Sequence, residues 1–600
     1  MWIIYIISVV LIFIGCLKIQ KTPKKQNLLF WMAITTITFF CYNTFVCYTY
    51  SLIHIPCNLI TLSIFNFIVT GVMTVKIVLT KKVQKYNRIR KRDIVFCIVL
   101  FITVGIVAKM FFKCFPFELN YESTDPATHY TAAREFYNNH TLLNNMENTT
   151  IFDLKQLMPI SYVNTGIAFF IGENFLEDYQ FYNIYVLIDL IVLYMSGILF
   201  YSLLIKRTKS IKMSIIAMII SILYILAYTL NSMIFGFAYL SVGLNVIIAI
   251  LAIIQLKKDT LFNKHIWNII MFMLNFGLFF GYYLFMPIIY LAEGIYMIME
   301  MIKNRNNKTI ICKENIVQII VTLILPTIMG IAYFIIPSFN KNNELISTEG
   351  YIYRELYANF LIMIPFVIFF ITRQIKNKRN DIFMLTLIIG MAFTLILFIV
   401  GVAFNKVSSY YFYKMHYLLY ILSMYATFES IYYLWENKDN RIFIGTAIGV
   451  LLCCLIFNIL NIDEKIGEKS TNFNPVYRMN GFFPIYTYNL EKMNPEKTIC
   501  TSNMLDIIYY YGNNIKEDRD SVMVKGNNRL QRWMYALFGI THHSNYLEFS
   551  EENIWNTTED WILSGKKYLI AFYEEELNLD NQDKYEVILK NEDGCILKRK

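Results

Sequence analysis

Residues 381–404 read Asp-Ile-Phe-Met-Leu-Thr-Leu-Ile-Ile-Gly-Met-Ala-Phe-Thr-Leu-Ile-Leu-Phe-Ile-Val-Gly-Val-Ala-Phe, and after Asp381 no charged side chain interrupts them. At a rise of ~1.5 Å per residue such a run forms a helix of about 35 Å, long enough to cross the ~30 Å hydrocarbon core of a bilayer. A barrel strand would alternate polar and apolar residues, and this stretch does not. Runs of the same kind recur at roughly 1–17, 28–50, 57–79, 94–112, 181–205, 213–230, 236–256, 266–283, 284–302, 315–337, 355–372, 417–435 and 441–460. The reading is a polytopic α-helical membrane protein of about fourteen transmembrane helices.

Composition supports this. Of 600 residues 56% are hydrophobic and only 16% charged, where a soluble protein would carry about a quarter charged. The net charge of +10 does not indicate nucleic acid, because the Lys and Arg residues sit in short loops between spans. Most of the 11 cysteines, such as Cys41, Cys47, Cys97, Cys453 and Cys454, lie in apolar runs without zinc spacing. Cys500 and Cys595 could pair, but nothing requires it. The first run has no basic leader and no small-residue cleavage site, which marks it as a retained anchor.

The basic loops set the topology. Lys18 to Lys25, Lys81 to Arg92, Lys206 to Lys212, Lys257–Lys258, Lys303 to Lys308 and Arg373 to Arg379 follow alternate spans. The positive-inside rule places them in the cytoplasm. Segments 113–180, 338–354, 405–416 and 461–600 then share the opposite face. The turn between spans 266–283 and 284–302 is essential to this alternation, because merging the two would invert everything after them.

The largest of these loops contains Glu-Leu-Asn-Tyr-Glu-Ser-Thr-Asp-Pro-Ala-Thr-His-Tyr-Thr-Ala-Ala-Arg-Glu-Phe-Tyr at 118–137. Asp125 followed by Pro126 is a helix start, with Asp as N-cap and Pro at N1. Ala127, Tyr130, Ala133, Arg134 and Tyr137 recur at helical spacing, which predicts a short amphipathic helix at the membrane surface. A second helix is expected over 159–170, from Pro159. On this pattern alone Asp125 reads equally well as a cap or as a reactive carboxylate.

The run Asp125 … Ala133-Arg134-Glu135-Phe136 resembles the first outer loop of the GT-C membrane glycosyltransferases, in the branch of aminoarabinose transferases and protein O-mannosyltransferases. Pro126 stands where that branch usually has Glu, and Phe136 where it usually has Met. The resemblance implies a GT-C-like core over 94–460, with residues 1–93 as additional helices and 461–600 as an extracytoplasmic domain. It implies a transferase in the plasma membrane that moves a sugar from a polyprenyl-phosphate donor to a cell-envelope glycan, glycolipid or protein, with inversion. Asp125 inherits the role of catalytic base. The family's next outer loop often carries a second acid, whereas residues 231–240 contain none, so metal use stays open. Glu122, one turn before Asp125, could share a divalent cation with it. Otherwise it is a solvated loop residue.

Residues 405–420 read Asn-Lys-Val-Ser-Ser-Tyr-Tyr-Phe-Tyr-Lys-Met-His-Tyr-Leu-Leu-Tyr. One reading is an aromatic belt with snorkelling Lys406 and Lys414. The other is a phosphate site, in which Lys414 with Tyr410, Tyr413 and Arg134 binds the donor phosphate. The segment resembles the family's late basic residue before a Tyr-Leu-Leu run. His129 and His416 are accessory candidates. Asp189 and Glu293 lie within spans and are functional candidates by position. They favour the rival reading, a transporter or flippase of lipid-linked sugars, although no internal repeat accompanies them. A polysaccharide polymerase or ligase is the third reading, weakened by outer loops poor in Arg. Strand-like runs at 497–502, 521–525, 567–572, 585–590 and 595–598 predict a small C-terminal α/β domain.

Overall fold

The computed structural model describes all residues except 20–25, 81–83, 85, 88, 112–124, 144–157, 207, 209, 260–263, 304–312, 336–356, 378–380, 405–408, 437–442, 450–451, 453–483, 494–500, 527, 541–558 and 573–581. Long apolar runs become helices because a helix satisfies its own backbone in lipid. Among the described residues, eleven stretches are long and apolar enough to cross a bilayer. The first four are α1 (Trp2–Ile19), α2 (Leu28–Leu52), α3 (Leu59–Thr80) and α4 (Lys91–Phe111). Two shorter helices follow, α5 (Asp125–Asn139) and α6 (Pro159–Gly172). Then come α7 (Phe181–Ile205), α8 (Ile211–Tyr224), α9 (Leu230–Ile234) and α10 (Ala238–Asp259). Next are α11 (Lys264–Tyr282) and α12 (Met286–Lys303), and later spans include Ile382–Phe404. The helix Ser409–Glu436 is less apolar because of its tyrosines, and packs on Ile364–Lys376 and Ile382–Phe404. The expected span 441–460 falls largely outside the described residues.

Every residue of α10 from Ala238 to Leu256 is buried, whereas most of α1 and α3 is not. Side chains such as Val72 (65% exposed) and Phe101 (70%) present the apolar surface that lipid would cover. The N-terminal helices α1 and α3 therefore sit at the rim and α10 at the centre.

The turn at 283 is real. Tyr282 adopts φ −154 and ψ 91, and only a single 3-10 turn separates α11 from α12. In one straight helix, Asn275 and Glu293 would lie about 27 Å apart. Instead Asn275 Nδ2 donates to Glu293 Oε2 at 3.3 Å, so the chain doubles back there.

The loops gather as the alternation requires. On one face Tyr86 donates to Leu17 O at 2.6 Å and Gln84 N donates to Lys18 O. Arg92 bonds Ser214 and Thr208 O on the same face. On the other face Cys57 N donates to His140 O, and Leu142 N donates to Ser51 Oγ. Trp2 meets Phe175 there at 5.0 Å.

The C-terminal domain belongs to the face of α5. Its sheet has the order β1-β2-β4-β3, from β1 (Val522–Lys525), β2 (Tyr568–Phe572), β3 (Tyr585–Lys590) and β4 (Gly594–Arg599). β1 and β2 are parallel, and the remaining pairs are antiparallel. The run expected as a strand at 497–502 differs: Thr501 caps the helix Ser502–Asn514 by accepting from Met504 N, and 497–500 lie outside the described residues, as does Cys500. A Thr followed by residues free to turn competes as a helix start with strand propensity.

Candidate functional site

Asp125 opens α5 as its sequence requires, and α6 starts at Pro159 as expected. The environment of α5 differs from the expectation of a surface helix. Residues 126, 127 and 129–136 are all buried, including Arg134 and Glu135. The cause is tertiary. α6 packs on one side, and the helix Asn528–Phe538 of the C-terminal domain packs on another. Trp533 of that helix lies 6.3 Å from Tyr130 and 5.6 Å from Tyr182, ring to ring. A helix covered all round no longer shows an amphipathic stripe.

The loop between α9 and α10 completes the wall. Gly236 has φ +76, and a Cβ there would fall inside the Pro126 ring. Glycine thus serves both a left-handed backbone and a close approach. The loop lacks a carboxylate but delivers Phe237 to the site, and the first turn of α10 delivers Tyr239.

Lys414 enters from the first turns of Ser409–Glu436 and is 1% exposed. Its Nζ donates to the Tyr239 hydroxyl at 2.9 Å. It lies 4.1 Å from the ring centres of both Phe237 and Tyr410. Tyr282 and Tyr239 lie at 5.2 and 5.3 Å. The aromatic faces partly replace the water that the ammonium has lost. His129, one turn into α5, has its ring 4.8 Å from that of Tyr239.

The charges act on one another. Burial pushes the Asp125 carboxyl above its usual range, while Lys414 and then Arg532 draw it back. Burial and the Lys414 charge lower His129 to about 3, so its imidazole is neutral near pH 7. His129 Nδ1 and the Tyr282 hydroxyl are buried without a hydrogen-bond partner among the described residues. Such orphans call for an explanation, and a bound polar ligand is one.

The other expected site residues lie elsewhere or differ in role. Arg134 is nine residues beyond Asp125, ~13.5 Å along α5 and on its opposite side. Its Nη1 bonds Asp178 Oδ1 at 3.0 Å, and its guanidinium lies over Phe181. Asp178 also pairs with Lys516 of the C-terminal domain at 2.7 Å. Burial raises the Asp178 carboxyl, but Arg134 and Lys516 outweigh it and hold it at about 2. Arg134 therefore clamps the domain to α5 in this arrangement. Tyr413 is buried beside Phe412, about 100° round the helix from Lys414. His416 packs between Phe360 and Phe412, with Nδ1 3.0 Å from Phe412 O. Glu122 and Lys406 lie outside the described residues. Among the described residues no three His, Cys, Asp or Glu side chains are grouped to hold a metal ion. Asp189 is buried in α7, and Glu293 pairs with Asn275.

Sequence reading missed Phe237, Tyr239, Tyr282 and Arg532. Only Arg532 left a signal, in the sequence run Arg529-Leu530-Gln531-Arg532-Trp533, basic and aromatic within a domain assigned to the outer face.

No family model matches the chain, and no curated protein matches it. Solved structures similar to it include the following two. One is the oligosaccharyltransferase of Archaeoglobus fulgidus in the apo form, with a TM-score of 0.44 and 11% identity, covering 80% of this chain and 69% of that one. The other is ArnT from Cupriavidus metallidurans bound to undecaprenyl phosphate, with a TM-score of 0.44 and 10% identity, covering 84% and 97%. Likeness at this level leaves the activity to be argued from the site.

Proposed function

We propose that this protein is a membrane glycosyltransferase that moves a sugar from a polyprenyl-phosphate donor to a cell-envelope hydroxyl on the extracytoplasmic face. The observation that carries the reading is the meeting of Asp125 and Lys414. Segments from opposite halves of the chain bring a carboxylate and a cation within electrostatic reach of each other in one buried region, beside two orphaned polar atoms. The first-loop resemblance names Asp125 independently of that geometry.

In the reaction the acceptor oxygen attacks the anomeric carbon as the bond to the phosphate oxygen breaks. The acceptor proton passes to Asp125, and the polyprenyl phosphate leaves with its charge against Lys414. Inversion follows from attack opposite the leaving group. An Asp125 carboxyl held above its usual range is a better proton acceptor once ionised. Lys414, sparsely solvated, is attracted to a phosphate more strongly than an exposed lysine would be. Arg532 adds positive charge from the roof, and Tyr410 and Tyr282 offer hydroxyls at the same place.

The test is transfer from a radiolabelled polyprenyl-phosphate sugar in proteoliposomes, with Asp125→Asn beside wild type. Asparagine still caps a helix but accepts no proton. The variant should insert and fold normally and lose ~10²–10⁴-fold in rate. Near wild-type transfer by a folded Asp125→Asn protein would make Asp125 a cap only.

A further inference from the structure

The N-terminal helices border a cleft whose lining includes no residue of α5. It has a volume of about 430 Å³ and is lined by α1, α2, α3 and α11. Its walls are apolar, among them Ile12, Phe39, Phe65, Val69 and Ile270, and its single charged side chain is Lys76. At the end away from Lys76, Asn66 Nδ2 donates to Ser8 Oγ at 3.0 Å, and Tyr42 donates to Asn66 Oδ1 at 2.9 Å. These three side chains tie α1, α2 and α3 together at mid-span. At the other end lie Cys16, Ile19 and Lys76, near the face of the basic loops, where Tyr86 and Gln84 bond the end of α1.

The dimensions select a ligand. On α3 the lining runs from Phe65 to Lys76, eleven helical steps or ~16 Å. One leaflet of a ~30 Å hydrocarbon core is ~15 Å deep. A chain entering beside Lys76 thus ends at mid-membrane, against the Ser8–Asn66–Tyr42 rung. A polyprenyl chain, longer than one leaflet, would have to pass that rung. Lys76 lies one turn before the end of α3. The segment that follows carries Lys81, Lys82, Lys85, Arg88, Arg90, Lys91 and Arg92. Basic clusters directly beyond a span attract anionic lipid.

We infer that this cleft binds one acyl chain of an anionic phospholipid from the leaflet on the basic-loop face, with the lipid phosphate at Lys76. The apolar walls supply burial for the chain, and Lys76 sets the depth of the head group. The additional helices α1–α3 thereby hold a lipid that fastens the rim of the bundle to α11. The inference does not depend on the transferase reading.

The test is lipid retention by the full chain in nanodiscs of phosphatidylcholine with added phosphatidylglycerol, read by native mass spectrometry. Lys76→Gln should lower phosphatidylglycerol retention about fivefold, the weight of one lysine near a membrane surface. Val69→Trp fills the cleft without changing charge, and should abolish retention. Lys109→Gln, at the far end of α4, should retain lipid as wild type does. Unchanged retention in both Lys76→Gln and Val69→Trp overturns the inference. So does phosphatidylcholine held as tightly as phosphatidylglycerol. Displacement of phosphatidylglycerol by an equal concentration of a long polyprenyl phosphate would reassign the cleft to isoprenoids and equally overturn it. Size-exclusion profiles identify any variant that misfolds, and Lys76→Gln, a rim substitution, keeps the test decisive. No transfer activity is read, so failure of the proposed function leaves these outcomes standing.

Discussion

Lys414→Met removes the charge from the site while keeping a long, unbranched side chain. Removing one member of a buried charge pair commonly costs ~3–5 kcal/mol where the other stays charged, but Asp125 can take up a proton instead, and four rings already line the place of Nζ. The variant should therefore fold and insert. Two effects on transfer are expected. A charge-assisted hydrogen bond to the donor phosphate contributes ~1.5–3 kcal/mol, so kcat/KM for the donor should fall ~10–150-fold. The second effect is on pH dependence. Lys414 draws the Asp125 carboxyl down against the effect of burial. Without it the carboxyl rises, more of it is protonated at a given pH, and the acid limb of the kcat/KM profile moves to higher pH. Raising the pH should then restore part of the lost rate, which a purely structural defect would not allow. Lys414→Arg should retain part of the activity. Arg532→Gln should move the same limb in the same direction by less, since Arg532 is the smaller influence. The assay is donor turnover in proteoliposomes across pH 5 to 9. An unmoved acid limb together with an unchanged donor KM in Lys414→Met would refute the coupling of the two residues.

The remaining predictions concern the scaffold. Gly236→Ala places a methyl in the Pro126 ring at a left-handed residue. It should cost ~1–3 kcal/mol and lower activity, read as a drop in thermal midpoint. Arg134→Ala leaves Asp178 with Lys516 alone and should loosen the C-terminal domain, seen as faster limited proteolysis with the membrane bundle intact; equal cleavage rates would deny the clamp. Cysteines placed at Asn145 and Ser550 should react with a membrane-impermeant reagent in intact cells, and one at Arg88 should not. Labelling at Arg88 but not Asn145 would reverse the orientation assigned to Asp125.

Much of the architecture was legible because lipid leaves few choices. Residues 381–404 can satisfy their backbone only as a helix, and the structure makes Ile382–Phe404 one. The turn at 283 was readable from the alternation of basic loops, and the Asn275–Glu293 contact bears it out. Asp125 was legible as a helix start because the N-cap rule is local. The burial of α5 was not, because its cover comes from Trp533 and α6, far away in sequence. Nor was the separation of Arg134 from Lys414, which depends on where Asp178 and Lys516 place a second charge.

What the sequence by itself determined is everything governed by local chemistry and by the membrane as solvent: helices, the faces to which loops are sorted, the start of α5, and most of the C-terminal strands. What only the tertiary structure decided is the company each functional side chain keeps. Phe237, Tyr239, Tyr282 and Tyr410 come from three separate parts of the chain, yet all face one ammonium. Nothing local marks them, since tyrosine and phenylalanine abound throughout this chain. The fields that set Asp125 fall off over a few ångströms of space, not of sequence. That is why a candidate carboxylate could be proposed from its neighbours in the chain, whereas the groups around it could be read only from the fold.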